Sequence, residues 1–336
     1  MSMLFEEVRL SLPHLEVAAH LYGPEDGKPV IALHGWLDNA ATFSRLAPRL
    51  QGLRIVALDL PGHGHSDHRP AGAGYNIWDY AHDVLQVAEQ FGWQRFSLLG
   101  HSMGAIVSVL LAGALPARIE RLALIDGAIP YTGEADGAPQ KLGAALEALL
   151  AVDDKRKPVY STFDKAVQAR IKGVGAVSRE AAERLAQRGL MPVPGGYTWR
   201  TDARLMLPSA MRLTRAHALA FVRQVACPSS LVLAEQGLMI QPELRELVDG
   251  LPFAVQRLPG GHHLHLDDEP GAEAVAAVFN AFFHGLDQPS VAILSRKALL
   301  DLLLPTGEAG RQRSQPSQRN DRMLHRRNAR WPSPCA

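Results

Sequence analysis

Arg95-Phe96-Ser97-Leu98-Leu99-Gly100-His101-Ser102-Met103-Gly104 is the stretch on which the chain turns. Phe96 to Leu99 is a short apolar run of the kind that forms a buried strand. It ends in a G-x-S-x-G pattern, Gly100 to Gly104, and a small-residue helical pattern, AIVSVLLAGAL, follows at once. Strand, tight turn and helix is the context in which this pattern presents a serine nucleophile. Gly100 and Gly104 let the incoming strand and the outgoing helix approach with no Cβ between them. Ser102 is then held at the carboxyl edge of a sheet. The competing reading is a Gly-Ser turn joining a core strand to a core helix.

Outward from Ser102, apolar runs and amphipathic segments alternate. Val30–Leu33 runs into His34-Gly35-Trp36, and Arg54–Leu60 ends at Pro61-Gly62-His63-Gly64. Leu122–Ile125 ends at Asp126-Gly127, and further runs occur at Leu231–Leu233 and Phe253–Leu258. The spacing predicts helices over 40–50, 77–93, 138–150, 178–190 and 271–286, and an early strand or hairpin over 8–22. Continuous Val/Ile/Leu strands alternating with helices imply a mostly parallel central sheet with helices on both faces, an α/β fold. His34, Asp59, Ser102 and Asp126 all end strands, where ligands bind in such sheets. The expected organisation is a core of residues 1–129 and 226–286, a helical insertion at 130–225 over the active edge, and an extension at 287–336. That extension is Arg-rich, and its composition predicts disorder from about 306.

Composition narrows the function. The chain has 336 residues, 47% of them hydrophobic, and a formal net charge of +1, so the whole molecule has no bias toward nucleic acid or an anionic membrane. No run of about 18 or more apolar residues predicts a membrane span. Two cysteines, Cys227 and Cys335, make neither a disulfide framework nor a metal spacing, and a cytoplasmic location is expected.

A serine hydroxyl needs a base, a group that orients the base, and donors for the oxyanion. Expected donors are the amides of Met103 and of Trp36, with His34 and Gly35 shaping the second loop. The base is expected in Gly260-Gly261-His262-His263-Leu264-His265. His262 is preferred and His263 is the alternative, because spacing does not separate neighbours. A metal reading of these histidines lacks a second cluster of ligands, so no metal is expected. For the acid, Asp126 is preferred over Glu235, since a carboxylate at a buried strand end needs a partner. Asp59 is expected to hold its neighbouring loop through backbone N–H groups. Tyr131, Tyr197, Trp199, Met206 and Met211 are candidates for a substrate pocket, with core packing the competing role for each.

HGW at 34–36, DLPGHGHSD at 59–67, GHSMG at 100–104, RLALIDG at 121–127 and GGHHLHLD at 260–267 together resemble the α/β-hydrolase fold superfamily over residues 8 to 286. The narrower resemblance, through GGYTWRTDARL at 195–205, is to serine hydrolase-like proteins near the mesoderm-specific-transcript and haloalkane-dehalogenase-type branch. It implies a lid of helices, a Ser–Asp–His triad and no cofactor. Where many members carry the acid after the strand at 231–233, this chain has Gly237. Dehalogenase-like relatives carry it after the preceding strand, at the place of Asp126. Those relatives use an aspartate nucleophile where this chain has Ser102, which argues against halide displacement. The expected activity is hydrolysis of a small-molecule carboxylic ester or thioester, with water as the second reactant. A C–C bond or lactone hydrolase with the same triad, and a non-catalytic ligand-binding member, are the alternatives.

Overall fold

A computed structural model describes residues 5–152, 156–173, 175–240, 248 and 250–285. These fall in the first of two compact units, Met1–Leu294. The second, Ser295–Ala336, lies outside the described residues, and so does the extension at 287–336 with the disorder expected from about 306.

The strands are β1 (Glu6–Ser11), β2 (Glu16–Tyr22), β3 (Lys28–Leu33), β4 (Leu53–Leu58), β5 (Phe96–His101), β6 (Ile119–Ile125), β7 (Leu190–Val193), β8 (Gly196–Trp199), β9 (Ser229–Gln236) and β10 (Ala254–Gly261). Eight of them form one sheet in the order β1-β2-β4-β3-β5-β6-β9-β10. The β1–β2 and β2–β4 pairs are antiparallel, and every pair from β4 to β10 is parallel. Successive side chains of a strand face opposite sides. Leu98 and Leu99 therefore enter different cores, as do Ala123 and Leu124, and Leu231 and Val232. All six are buried because both faces are covered, which is why these strands read as unbroken apolar runs. The helices α1 (Asp79–Gln90) and α2 (Met103–Ala114) pack on one face. The helix Glu269–His284, with Phe279 and Phe283, packs on the other.

Strand order reverses at β3, whose neighbours are β4 on one side and β5 on the other. A crevice opens beyond the carboxyl ends at such a reversal. The loops after β3, β5 and β6 all reach that edge.

Two expectations need correction. Residues 40–50 form two 3-10 turns, Ala40–Phe43 and Ala47–Arg49, rather than one helix, because Pro48 stands where an α-helix needs an N–H donor. The stretch between β6 and β9 is not purely helical. It holds α3 (Ala138–Leu150), α4 (Phe163–Ile171), α5 (Arg179–Gly189) and α6 (Arg215–Gln224), but also the antiparallel ribbon β7–β8. Pro194 and Gly195 make the turn between those strands, with Gly195 at φ 90°. Val167, Ala181 and Leu185 give α4 and α5 an apolar core of their own. α6 instead sends Ala218 and Val222 into the main core. Among the described residues no helix is long and apolar enough to cross a membrane.

Candidate active site

Ser102 sits between β5 and α2 at φ 53°, ψ −115°. A β-carbon-bearing residue at positive φ is strained, and such strain gathers at functional turns. A close approach and a set of backbone hydrogen bonds fix the turn. A Cβ on Gly104 would lie 2.0 Å from the carbonyl oxygen of Leu33, so only glycine lets α2 reach β3. The Ser102 carbonyl accepts N–H bonds from Ala105 and Ile106, at 3.1 and 3.2 Å, and the Ser102 N–H donates to Ile125, at 3.0 Å. Met103 opens α2, where the first N–H groups have no intrahelical acceptor and the helix dipole is positive.

Asp126 follows β6, also at positive φ, 42°. Its side chain is buried and reaches across to the next strand. Oδ1 accepts the Ala234 N–H at 3.2 Å, and Oδ2 accepts the Leu238 N–H at 2.9 Å. The His262 Nδ1–H donates to the same Oδ2 at 2.6 Å. A Cβ on Gly237 would meet Asp126 Oδ2 at 2.3 Å. The carboxylate from β6 thus fills the space that a side chain at 237 would use. With Nδ1–H committed to Asp126, the lone pair of His262 is on Nε2.

Ser102, Asp126 and His262 therefore lie at one sheet end. The serine turn is tied to the segments that carry the other two. Ser102 N–H binds the residue before Asp126, and His101 Nε2–H donates to the His262 carbonyl at 2.9 Å. Glu235 is exposed at the end of β9, and it is Asp126 that bonds His262. His263 does not join this group: its Nε2–H donates to Asp38 Oδ2 at 2.8 Å.

The turn after β3 closes the opposite side. Asp38 N–H donates to Gly35 at 3.2 Å, and Leu37 stands at φ 63°. Gly35 lies close enough to Ser102 that a Cβ on it would be 3.2 Å from the serine Cβ. His34 bridges this turn and the chain just after β4. Its Nδ1–H donates to Gly35 O at 2.7 Å, and its Nε2 accepts the Leu60 N–H at 3.0 Å. Burial keeps that ring neutral by lowering its pKa. Asp59 accepts the N–H groups of Ala40 at 2.7 Å and His65 at 2.6 Å, and also meets Arg188 of α5. Burial alone would raise its pKa, but the guanidinium together with the Ala40 and His65 N–H groups offsets this and holds the carboxyl below its ordinary value.

A cavity of about 460 Å³ lies between the Trp36–Leu37 turn and the insertion. Trp199 and Met206 line it, joined by Tyr160, Ala169 and Arg170. Tyr197 instead packs edge-on against Phe163, and Tyr131 and Met211 are exposed. The Trp36 indole donates to Leu205 O at 3.1 Å, which anchors the turn to the insertion.

The sequence reading missed Asp38, Arg170 and Arg188. Asp38 and Arg188 are nearly inaccessible, and charges of opposite sign seldom announce their partners across more than a hundred residues. One signal existed: His262, His263 and His265 in four positions, all buried, need polar partners or a reason to remain neutral.

An eight-stranded, mostly parallel sheet with a serine on the strand–helix turn after β5 defines a class. The chain belongs to the α/β-hydrolase fold family, whose model matches residues 28–269. It is similar to the serine hydrolase-like protein of Danio rerio, 32% identical over 292 residues, 82% of this chain and 87% of that one. It is also similar to a probable serine hydrolase of Drosophila melanogaster, 32% identical over 279 residues, 78% of this chain and 83% of that one. Among solved structures, hypothetical protein PA1622 from Pseudomonas aeruginosa PAO1 is 75% identical with a TM-score of 0.82, covering 83% of this chain and 99% of that one. Fold and relatives support a hydrolase.

Proposed function

We propose that the protein hydrolyses carboxylic esters or thioesters of small molecules through an acyl-enzyme on Ser102. His262 Nε2 takes the Ser102 proton as Oγ attacks the carbonyl carbon, and returns it to the leaving group. Asp126 holds the imidazole in the Nδ1–H tautomer and stabilises the imidazolium that forms. The amides of Met103 and Trp36 receive the oxyanion, helped by the positive end of α2. Water then attacks the acyl carbon with His262 again as base, freeing the acid and Ser102. Residues 130–225 act as a cap over this edge, and the acyl group enters the cavity beside Trp36.

The observation that supports this reading best is the 2.6 Å bond from His262 Nδ1 to a buried Asp126, at the sheet end that also carries the strained Ser102 turn. No cofactor is needed for these steps. The test is turnover of p-nitrophenyl acetate, butyrate and hexanoate by the wild type and by Ser102→Ala. Loss of turnover in the folded variant is expected. Equal turnover by both proteins refutes the nucleophile.

A further inference from the structure

Asp38 is the meeting point of four segments that the proposed reaction must keep aligned. It is 2% exposed and follows the turn that carries the Trp36 amide. Its Oδ2 accepts from His263, the neighbour of His262, at 2.8 Å. Its Oδ1 accepts from Arg170 Nη2 of α4 at 2.9 Å. The other arm of that guanidinium, Nη1, donates to Gly175 O at 3.1 Å. His101, the residue before Ser102, packs its ring 4.6 Å from His262 and 4.7 Å from His263, centroid to centroid.

The insertion touches the histidines directly at Gly175. A Cβ there would lie 3.0 Å from His262 Cδ2 and 3.2 Å from His263 Cε1. Arg170 therefore fixes two things with one fork: the loop that covers the histidines, and the carboxylate that ties the turn at 35–38 to His263. Asp38, His101 and His263 also set ligand atoms within 4.8 Å of one another, an arrangement a cation could use. The guanidinium already neutralises the carboxylate there, and a divalent ion would have to displace it.

We infer that Arg170, Asp38 and His263 form a latch that positions the reacting groups, so that seating the insertion aligns the Trp36 amide with His262. The inference rests on the proposed serine hydrolase reading for its kinetic arm alone. All three are positioning residues: they act through the groups they align and none takes or gives a proton at the reacting carbonyl. Arg170 also lines the cavity, so the occupant that fills the cavity touches the latch. Binding under the insertion and assembly of the site are then one event. Misplacement of catalytic groups by about 1 Å costs on the order of a hundredfold in rate.

The test is hydrogen–deuterium exchange of Arg170→Met, Arg170→Lys and Asp38→Asn, with kcat and KM for p-nitrophenyl acetate. Arg170→Met should speed exchange in the 163–178 segment and also in the 35–43 turn. It should lower kcat tenfold to a hundredfold while KM for this small ester moves less than threefold. Arg170→Lys keeps a charge for Asp38 but gives up the fork to Gly175 O. It should restore protection at 35–43 and not at 171–178, with kcat between wild type and Arg170→Met. Adding Asp38→Asn to Arg170→Met should change the 35–43 turn no further. Faster exchange confined to 163–178, or unchanged kcat in Arg170→Met, overturns the latch. Coupled exchange in a wild type that turns over no ester upholds the latch and instead retires the hydrolase mechanism proposed for Ser102.

Discussion

Asp126→Asn isolates the acid with almost no change of shape. The carboxylate receives three N–H groups: His262 and Leu238 at Oδ2, and Ala234 at Oδ1. An amide cannot accept on both sides. With its oxygen in the Oδ2 place, the NH2 faces the Ala234 N–H. Flipped, the NH2 faces Leu238 N–H, and His262 must present a lone pair at Nδ1. Its proton then moves to Nε2, where it can no longer accept from Ser102. Either choice leaves a buried donor unpaired, worth about 1–3 kcal/mol of stability. The transition state loses more. An imidazolium and a carboxylate at about 4 Å attract by about 4 kcal/mol at an effective dielectric of 20, which is roughly three decades of rate. The tautomer change adds to this, so kcat for p-nitrophenyl butyrate should fall by about 10³ to 10⁴. Glu235→Gln, at an exposed site, should change kcat less than threefold. A fall of under tenfold in Asp126→Asn, or a larger loss in Glu235→Gln, refutes the assignment of the acid.

Three further outcomes follow from the same geometry. Gly237→Ala drives a methyl against Asp126 Oδ2 and should lower kcat by about a hundredfold, since a shift of about 1 Å in a catalytic group costs that much. Gly143→Ala in α3, where a Cβ meets nothing within 4 Å, should instead raise stability by roughly 0.5–1 kcal/mol; thermal melts and esterase rates check the pair. Ala169→Phe fills the cavity wall and should lower kcat/KM for hexanoate relative to acetate by about tenfold, the scale expected for apolar pocket contacts. An unchanged ratio would remove the cavity from acyl binding. Stability should fall as pH drops below 6.5. Burial holds His63 at about 3 and His20 at about 4, against 6.5 when unfolded, so the unfolded chain binds more protons in that window. Each such histidine contributes stability that is whole above 6.5 and declines by about 1.4 kcal/mol per pH unit toward its folded pKa. Urea unfolding at pH 7.5, 6 and 5 measures this, and a flat midpoint refutes it.

The parts legible from sequence were those fixed by local order. Phe96–Leu99 and Leu122–Ile125 are too short and too apolar to be anything but buried strands once glycine turns and helices flank them. Gly100 and Gly104 announced a close crossing of strand and helix. Asp126 stood out because a carboxylate between Ile125 and Gly127 needs a partner, and Gly237 made room for it. What sequence could not carry was set by distant pairings. Asp38 finds His263 and Arg170 at separations of 225 and 132 residues. Nothing near Asp38 distinguishes it from a loop aspartate. The ribbon β7–β8 was hidden because four-residue strands show too little alternation to oppose the helical pattern before them. The turns at 40–49 kept helical spacing while Pro48 removed the donor.

The central claim is that Ser102 is a nucleophile primed by His262. Intact-mass spectrometry after brief exposure to a fluorophosphonate, followed by peptide mapping, addresses it directly. The account predicts one adduct per chain, on the peptide holding Ser102, absent in Ser102→Ala and slowed in His262→Ala. A folded wild type that takes no adduct, or takes it on another residue, would contradict it.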